Sequence, residues 1–181
     1  MASAPLPNPS PAATKGVYLQ PGDIRFFIPP PGLVRPPRLH TLLGSCVSII
    51  LWQPERRIGG MSHIILPDSG HRKSNTAAEG RYADGVVALF KRELLRAGTF
   101  PSQYAVYLVG GARMYDSLHV SDGETVGERN IQAARAHLKA AGFLLWAEDV
   151  GEEGYRKVEL DLTSGVVTVI SGSQRRILSI P

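Results

Sequence analysis

Two periodicities divide the hydrophobic positions of this 181-residue chain. Short segments alternate apolar and polar residues or are apolar throughout, which is typical of β-strands with one or both faces buried. Prolines and glycines separate most of these segments, and both residues interrupt regular structure. The pattern predicts seven strands: Gly16–Phe27, Val47–Trp52, Ile58–Leu66, Tyr104–Val109, Phe143–Glu148, Tyr155–Leu160 and Val166–Ile170.

Two longer segments have the three- and four-residue spacing of an amphipathic helix. The first is Gly80–Ala97, which precedes a helix-stopping Gly98. The second begins at Thr125, whose hydroxyl can form a capping box with Glu128, and ends at Gly142. The positions that predict buried helix faces are Tyr82, Val86, Leu89, Phe90, Leu94 and Ala97 in the first helix, and Ile131, Ala134, Leu138 and Ala141 in the second.

The order of these elements indicates the fold class. Strands outnumber helices, and most are joined by hairpin-length turns rather than by helices. Hairpins produce antiparallel pairs, whereas strand–helix–strand units produce parallel ones. We therefore predict an α+β domain with stacked, largely antiparallel or mixed β-sheets and helices packed outside.

The chain is long enough for one domain with a substantial core. Residues 1–14 are rich in proline, alanine and serine and cannot bury much apolar surface, so we predict a disordered leader. We expect the domain over residues 15–172 and a C-terminal tail over 173–181. The first residues lack a basic region followed by an apolar stretch, and no apolar run approaches the roughly 20 residues of a membrane span. These features predict a cytoplasmic protein without membrane insertion.

A net charge of +4 and a pI of about 9.4 are compatible with nucleic acid, an acidic membrane or an acidic protein as a partner. The basic residues are scattered, however, and their densest groups are the pairs Arg56–Arg57 and Arg175–Arg176. No alternation of basic and aromatic residues and no zinc-finger spacing accompanies them. We therefore expect no nucleic-acid partner, and an acidic protein partner stays open.

The single cysteine, Cys46, and a histidine one predicted hairpin away, His63, are the candidate reactive groups. If the turn is centred between Pro54 and Glu55, opposed residues have numbers that sum to 109, which places Cys46 opposite His63. An imidazole can accept the thiol proton, and the imidazolium then stabilises a nucleophilic thiolate. The alternative is that Cys46 is a small core residue and His63 a hydrogen-bonded strand residue. Spacing alone does not decide between the two.

Six sequence blocks extend the pattern around this pair. They are Thr41-Leu42-Leu43-Gly44-Ser45-Cys46-Val47, Ile58-Gly59-Gly60-Met61-Ser62-His63 with Leu66-Pro67, Arg81-Tyr82, Gly110-Gly111-Ala112-Arg113-Met114, Val126-Gly127-Glu128-Arg129-Asn130, and Glu148-Asp149-Val150-Gly151 with Gly154-Tyr155-Arg156-Lys157. In order and spacing they resemble the chemoreceptor glutamine deamidase family, CheD, from about Gly16 to Ile170.

The resemblance implies a cytotoxic necrotizing factor-like cysteine hydrolase fold and a catalytic set. Cys46 corresponds to the nucleophile, His63 to its base, and Thr41 to a third polar member. Ser62 occupies a position where relatives often have asparagine. The implied reaction is attack of the thiolate on a receptor glutamine, loss of ammonia, and hydrolysis of a thioester to glutamate. It requires neither a metal nor an organic cofactor.

The resemblance also implies partners. These are the cytoplasmic helices of methyl-accepting chemotaxis receptors and a CheC-type phosphatase. The implied enzyme is a protein-glutamine glutaminase, with hydrolysis of receptor methyl esters as a further activity. The alternative function is a non-catalytic adaptor that binds receptors or the phosphatase.

Overall fold

The computed structural model of this protein describes residues 16–70, 80–114 and 123–178. Within them, ten strands form two five-stranded sheets. In spatial order, sheet A contains β1 (Val17–Tyr18), β3 (Arg38–Leu43), β8 (Arg156–Asp161), β9 (Val167–Ser171) and β10 (Gln174–Leu178). Sheet B contains β2 (Ile24–Phe27), β5 (Ile58–Ser62), β4 (Val47–Gln53), β6 (Ala105–Gly110) and β7 (Leu145–Val150).

The two sheets stack, and the two helices, α1 (Ala83–Arg96) and α2 (Val126–Ala140), pack on the outer face of sheet B. Both sheets are mixed, because β1 and β3 are parallel, as are β6 and β7, while the other pairs are antiparallel. The predicted α+β architecture with helices outside stacked sheets is confirmed. Among the described residues, no helix has the length and apolar character needed to cross a membrane.

Strand β4 lies at the centre of the molecule and explains its two cores. Ile49 and Leu51 point toward the helices and join the cluster between them and sheet B. Ile50 and Trp52 point the other way and join the cluster between the sheets. A strand covered on both faces needs apolar residues at every position, which is why this segment does not alternate.

One strand prediction is wrong. The segment Gly16–Phe27 is not a single strand, because a turn at Pro21 and Gly22 divides it into β1 of sheet A and β2 of sheet B. Gly22 has φ +90°, a conformation that glycine adopts without strain. Leu19 lies between the two strands and is fully buried.

The helices follow their sequence signals closely. Thr125 caps α2, where its hydroxyl accepts from the amide of Glu128 while the Glu128 carboxylate accepts from the amide of Thr125. Helix α1 begins at Ala83 rather than Gly80, because Tyr82 is still extended and bridges to Leu66.

The carboxyl-terminal end of the described chain adds a strand that the pattern did not predict. Strand β10 lies in the segment expected as a tail and pairs with β9, which extends sheet A to Leu178. It is an exposed edge strand, so its residues lack the alternation that marks a half-buried strand. The predicted leader, residues 1–14, lies outside the described residues.

Candidate functional site

Cys46 lies where the chain crosses from one sheet to the other. Strand β3 of sheet A ends at Leu43 and β4 of sheet B begins at Val47, so Gly44-Ser45-Cys46 links the two layers. The half-buried Cys46 packs against the cluster between the sheets. The site is therefore built from both sheets at once.

The structure brings His63 and Thr41 together. Thr41 points inward from β3, His63 follows β5, and the two side chains are 0 % and 3 % exposed. The Thr41 hydroxyl donates to the carbonyl of Leu19 at 2.8 Å, and its oxygen lies 2.7 Å from His63 Nδ1. A hydroxyl has one hydrogen, so the bond to the imidazole is satisfied when Nδ1–H donates to Thr41 Oγ1. That tautomer leaves Nε2 of the neutral ring with a free lone pair.

The predicted hairpin register is wrong by two residues. Paired positions in β4 and β5 sum to 111 rather than 109, as in Ile50 opposite Met61, because the loop Pro54–Arg57 is centred between Glu55 and Arg56 rather than between Pro54 and Glu55. Arg57 takes a positive φ of 54° to close this loop. A shift of two residues keeps side chains on the same face. Cys46 and His63 are thus diagonal neighbours, a relation that in a regular ladder places Cβ atoms roughly 7 Å apart.

Ser62 changes the ladder beside the pair. Its fully buried hydroxyl accepts from the amide of Ile49 at 3.0 Å and donates to the carbonyl of Ile49 at 3.2 Å. The next residue, His63, bonds through its backbone to Gly22 and Asp23, at 2.8 and 2.9 Å. The Ser62 side chain thus binds both the amide and the carbonyl of Ile49, the residue opposite it in β4. The backbone of His63 is hydrogen-bonded instead to the segment that leads into β2.

The loop that carries Cys46 is held through its carbonyl groups. The amide of Gly111 donates to the carbonyl of Cys46 at 2.7 Å, and the amide of Ala112 donates to that of Gly44 at 2.9 Å. Gly110 must be glycine, because its φ is +110° and a Cβ there would overlap the carbonyl of Cys46. Within the described parts of the chain, neither the amides of Ser45 and Cys46 nor the thiol forms a hydrogen bond. Such amides are candidates to stabilise an oxyanion.

Asn130 is a site residue whose position the sequence analysis did not predict. Its amide nitrogen donates to the carbonyls of Ser45 and Ile65, at 3.1 and 3.0 Å. Polar residues in the first turns of a helix are typical of capping and local hydrogen bonds, yet these two bonds join distant parts of the chain. The sequence also did not predict that the Leu19 carbonyl accepts the Thr41 hydroxyl, because a pattern of side chains does not indicate the position of a backbone acceptor.

Burial shifts both titrating groups toward their neutral forms. Desolvation raises the pKa of the Cys46 thiol above its ordinary value. Desolvation also lowers the pKa of His63, against smaller opposing effects of the Leu19 carbonyl and of the Asp23 charge. Both shifts favour a neutral thiol and a neutral imidazole at neutral pH.

A buried ion pair joins sheet A to sheet B next to the cysteine loop. Arg156, opposite Leu43 in the β3–β8 ladder, is 1 % exposed and its Nε donates to Asp149 at 2.8 Å. The other Asp149 oxygen accepts from Arg176 at 3.2 Å. These contacts assign Asp149 to the framework around the site.

The surroundings of the Gly111 turn are more acidic than the net charge of the protein indicates. A pocket of about 240 Å³ is lined by Gly111, Arg113, Thr125, Glu128, Gly151, Glu152 and Glu153. Arg113 pairs with Glu128 at 3.2 Å. Within residues 16–70, 80–114 and 123–178, no three histidine, cysteine or acidic side chains are grouped as a metal site requires.

Comparison with known proteins gives consistent sequence matches. The profile of the family described as CheD chemotactic sensory transduction matches residues 65–171, more than half of the chain. A Pseudomonas fluorescens protein named "Probable chemoreceptor glutamine deamidase CheD" is 41% identical over 160 residues, 88% of this chain and 86% of the relative. A protein of the same name from Pseudomonas savastanoi pv. phaseolicola is 38% identical over 161 residues, with the same two shares. Because the chain has 181 residues, the matches to these two relatives include the segment from Thr41 to His63 wherever they begin.

The chain also has a distant likeness to a solved structure. The Bacillus licheniformis hypothetical protein YfiH superimposes on 75% of this chain and 59% of its own, with 13% identity and a TM-score of 0.44.

Proposed function

This chain belongs to the CheD family, and on that premise we propose that it deamidates glutamine side chains of chemotaxis receptors to glutamate. The names of its relatives support this activity, since each is called a probable chemoreceptor glutamine deamidase. The enzyme is then a hydrolase that acts on a side-chain amide of a protein substrate.

The proposed catalytic residues are Cys46, His63 and Thr41. The observation that carries the proposal is the chain of bonds from His63 Nδ1 through Thr41 to the Leu19 carbonyl. It supports a ring whose free Nε2 can accept the Cys46 proton, while Thr41 orients the ring as the third member does in hydrolase triads.

In the proposed reaction, His63 Nε2 takes the thiol proton as Cys46 Sγ bonds to the δ-carbon of glutamine. Negative charge develops on the carboxamide oxygen, where the amides of Ser45 and Cys46 are available as donors. The imidazolium then protonates the departing nitrogen, and ammonia leaves a thioester on Cys46. A water gives its proton to His63 as it attacks the thioester, and Cys46 leaves as a thiol with glutamate as the product.

The test is mass spectrometry of a receptor cytoplasmic fragment after incubation with the protein. We expect the small mass gain of carboxamide hydrolysis at specific glutamines, and its loss with Cys46→Ala. The parent residue is the only cysteine of the chain, so no other thiol can substitute for it. Conversion at equal rates by the parent and Cys46→Ala would contradict the mechanism, and receptor binding without conversion by either would favour the adaptor function.

We further propose that the protein acts in the cytoplasm, where the receptor helices are, and that a CheC-type phosphatase is a second partner. Hydrolysis of receptor methyl esters would use the same thioester. Incubation with a methylated receptor fragment distinguishes ester hydrolysis from deamidation, because ester hydrolysis releases methanol and amide hydrolysis releases ammonia.

A further inference from the structure

We propose that Asn130 is the positioning residue that fixes the Cys46 loop against the segment carrying His63. It thereby sets the approach of the thiol to the imidazole. This inference rests on the Cys46–His63 pair of the proposed function.

The contacts of Asn130 lie on both sides of the reactive pair. One hydrogen of its amide nitrogen binds the carbonyl of Ser45, the residue before Cys46, and the other binds the carbonyl of Ile65, two residues after His63. No backbone ladder bond joins these two carbonyl groups, since both are acceptors. A side chain with two donors on one atom is what can bridge them.

Helix α2 delivers this side chain to a fixed place. Gly127, one turn earlier on the same face, packs so closely on the Gly110-Gly111-Ala112 turn that a Cβ would overlap the Gly111 carbonyl and lie 2.9 Å from that of Ala112. The amide of Gly111 in turn holds the Cys46 carbonyl. The first turns of α2 therefore hold the cysteine loop both directly, through Asn130, and indirectly, through Gly111.

The choice of residue indicates positioning rather than packing. Asn130 is fully buried, and its Oδ1 has no hydrogen-bond partner among the described residues. A buried acceptor without a partner costs stability, but an apolar side chain of similar volume would leave the carbonyls of Ser45 and Ile65 without their donor. The two donated bonds, which link the loop before Cys46 to the segment after His63, therefore give the reason for an asparagine at this buried position.

Position matters here because the thiol itself is not tethered. Within the described chain Cys46 Sγ forms no hydrogen bond, so the distance to His63 follows from where the loop backbone is held. A displacement of about 1 Å in a reacting group can cost roughly a hundredfold in rate. Loss of the Asn130 bridge should accordingly slow the transfer of the thiol proton and leave substrate affinity almost unchanged.

A double-mutant cycle tests this coupling. We would measure acylation of Cys46 by p-nitrophenyl acetate, which needs no receptor, in the parent, Asn130→Ala, His63→Ala and the double variant. Receptor-fragment deamidation would be measured beside it for the parent, Asn130→Ala and His63→Ala. We expect Asn130→Ala to slow acylation at least tenfold in the parent, and less than about twofold once His63 is absent. In deamidation, kcat should fall and KM should change little.

Thr99→Ala is the matched control. Thr99 is equally buried and also joins two segments, through bonds to the Leu94 carbonyl and the Tyr104 hydroxyl, but it lies outside the reactive site. It should lower the thermal midpoint without changing acylation. Asn130→Leu, which fills the volume without donors, is the second variant in case Asn130→Ala fails to fold, and it should show the same loss.

Equal losses with and without His63, or no loss in either Asn130 variant, would overturn the proposal. So would unfolding of both variants, because the amide would then serve the fold as a whole. If His63→Ala itself leaves acylation and deamidation unchanged, the proposed catalytic pair is wrong. If only the Asn130 variants are unaffected, the positioning role alone is wrong.

Discussion

The two halves of the reactive pair are held in different ways. The imidazole of His63 is buried, its Nδ1 is bonded to Thr41, and its backbone is bonded to Gly22 and Asp23. The thiol of Cys46 is half-buried against the cluster between the sheets, and the described hydrogen bonds of its loop are to carbonyl groups, which Gly111, Ala112 and Asn130 bind. The base is thus oriented in advance, whereas the nucleophile depends on backbone position. Three experiments test this contrast, in order of decreasing expected effect. They remove the imidazole, remove the hydroxyl that orients it, and vary the pH through the titration of the pair.

The largest effect is expected from His63→Ala. Without a general base, a thiol whose pKa is raised by burial reacts slowly at neutral pH, so deamidation should fall by roughly 10²- to 10⁴-fold. His137→Ala is the matched control, because His137 is a surface residue paired with Asp68 at 2.5 Å. The measurement is kcat on a receptor fragment. A loss of the same size in the control, or none in His63→Ala, would contradict the assignment of the base.

A smaller loss is expected from Thr41→Val, which keeps the shape of the side chain but removes the nearer partner of Nδ1 and leaves only the longer contact to the Leu19 carbonyl at 3.4 Å. The ring can then rotate or adopt the other tautomer, so kcat should fall roughly ten- to a hundredfold with little change in KM. Thr41→Ser restores the hydroxyl and should recover most of the rate. If the serine variant is as slow as the valine variant, packing of the methyl group and not the hydrogen bond is what matters.

The smallest effects are shifts in pH dependence. Burial lowers the pKa of His63, so the basic form dominates at neutral pH and the acid limb of kcat/KM should lie below the ordinary histidine value of about 6.5. Burial raises the pKa of Cys46, so alkylation by iodoacetamide should reach half its maximal rate above the ordinary value of about 8.5. A plateau of alkylation extending below pH 7 would instead indicate a resting thiolate–imidazolium pair.

Local signals in the sequence predicted most of the fold. The Thr125–Glu128 capping box located the start of α2, and the continuous apolar run of β4 identified a central strand. The break at Gly22 was missed because apolar residues continue on both sides of the turn, in strands of different sheets. Strand β10 was missed because an exposed edge strand needs no apolar face.

The candidate site could be predicted only in part, for a related reason. The alternation of side chains in the predicted hairpin placed Cys46 and His63 on one face of the sheet. That prediction is unaffected by the two-residue error in the register, because a shift of two keeps side chains on the same face. The contact of Thr41 with His63 joins different sheets, and the bonds of Asn130 cross 65 and 85 positions. Such contacts follow from how sheets and helices stack, which no local spacing reports. The resemblance to a family supplied Thr41, and no signal separated Asn130 from its neighbours in the same block.

The Leu19 carbonyl gives the molecule a specific weakness to heat. It accepts the Thr41 hydroxyl that orients His63, yet it follows β1, a two-residue strand at the edge of sheet A. Short strands at a sheet edge open at lower free energy than a packed core. On warming, β1 can detach while the buried Leu19 side chain and the rest of both sheets stay in place, so the Leu19 carbonyl shifts and the imidazole loses its orientation. Activity should therefore disappear several degrees before circular dichroism records unfolding, and the inactivation should reverse on cooling.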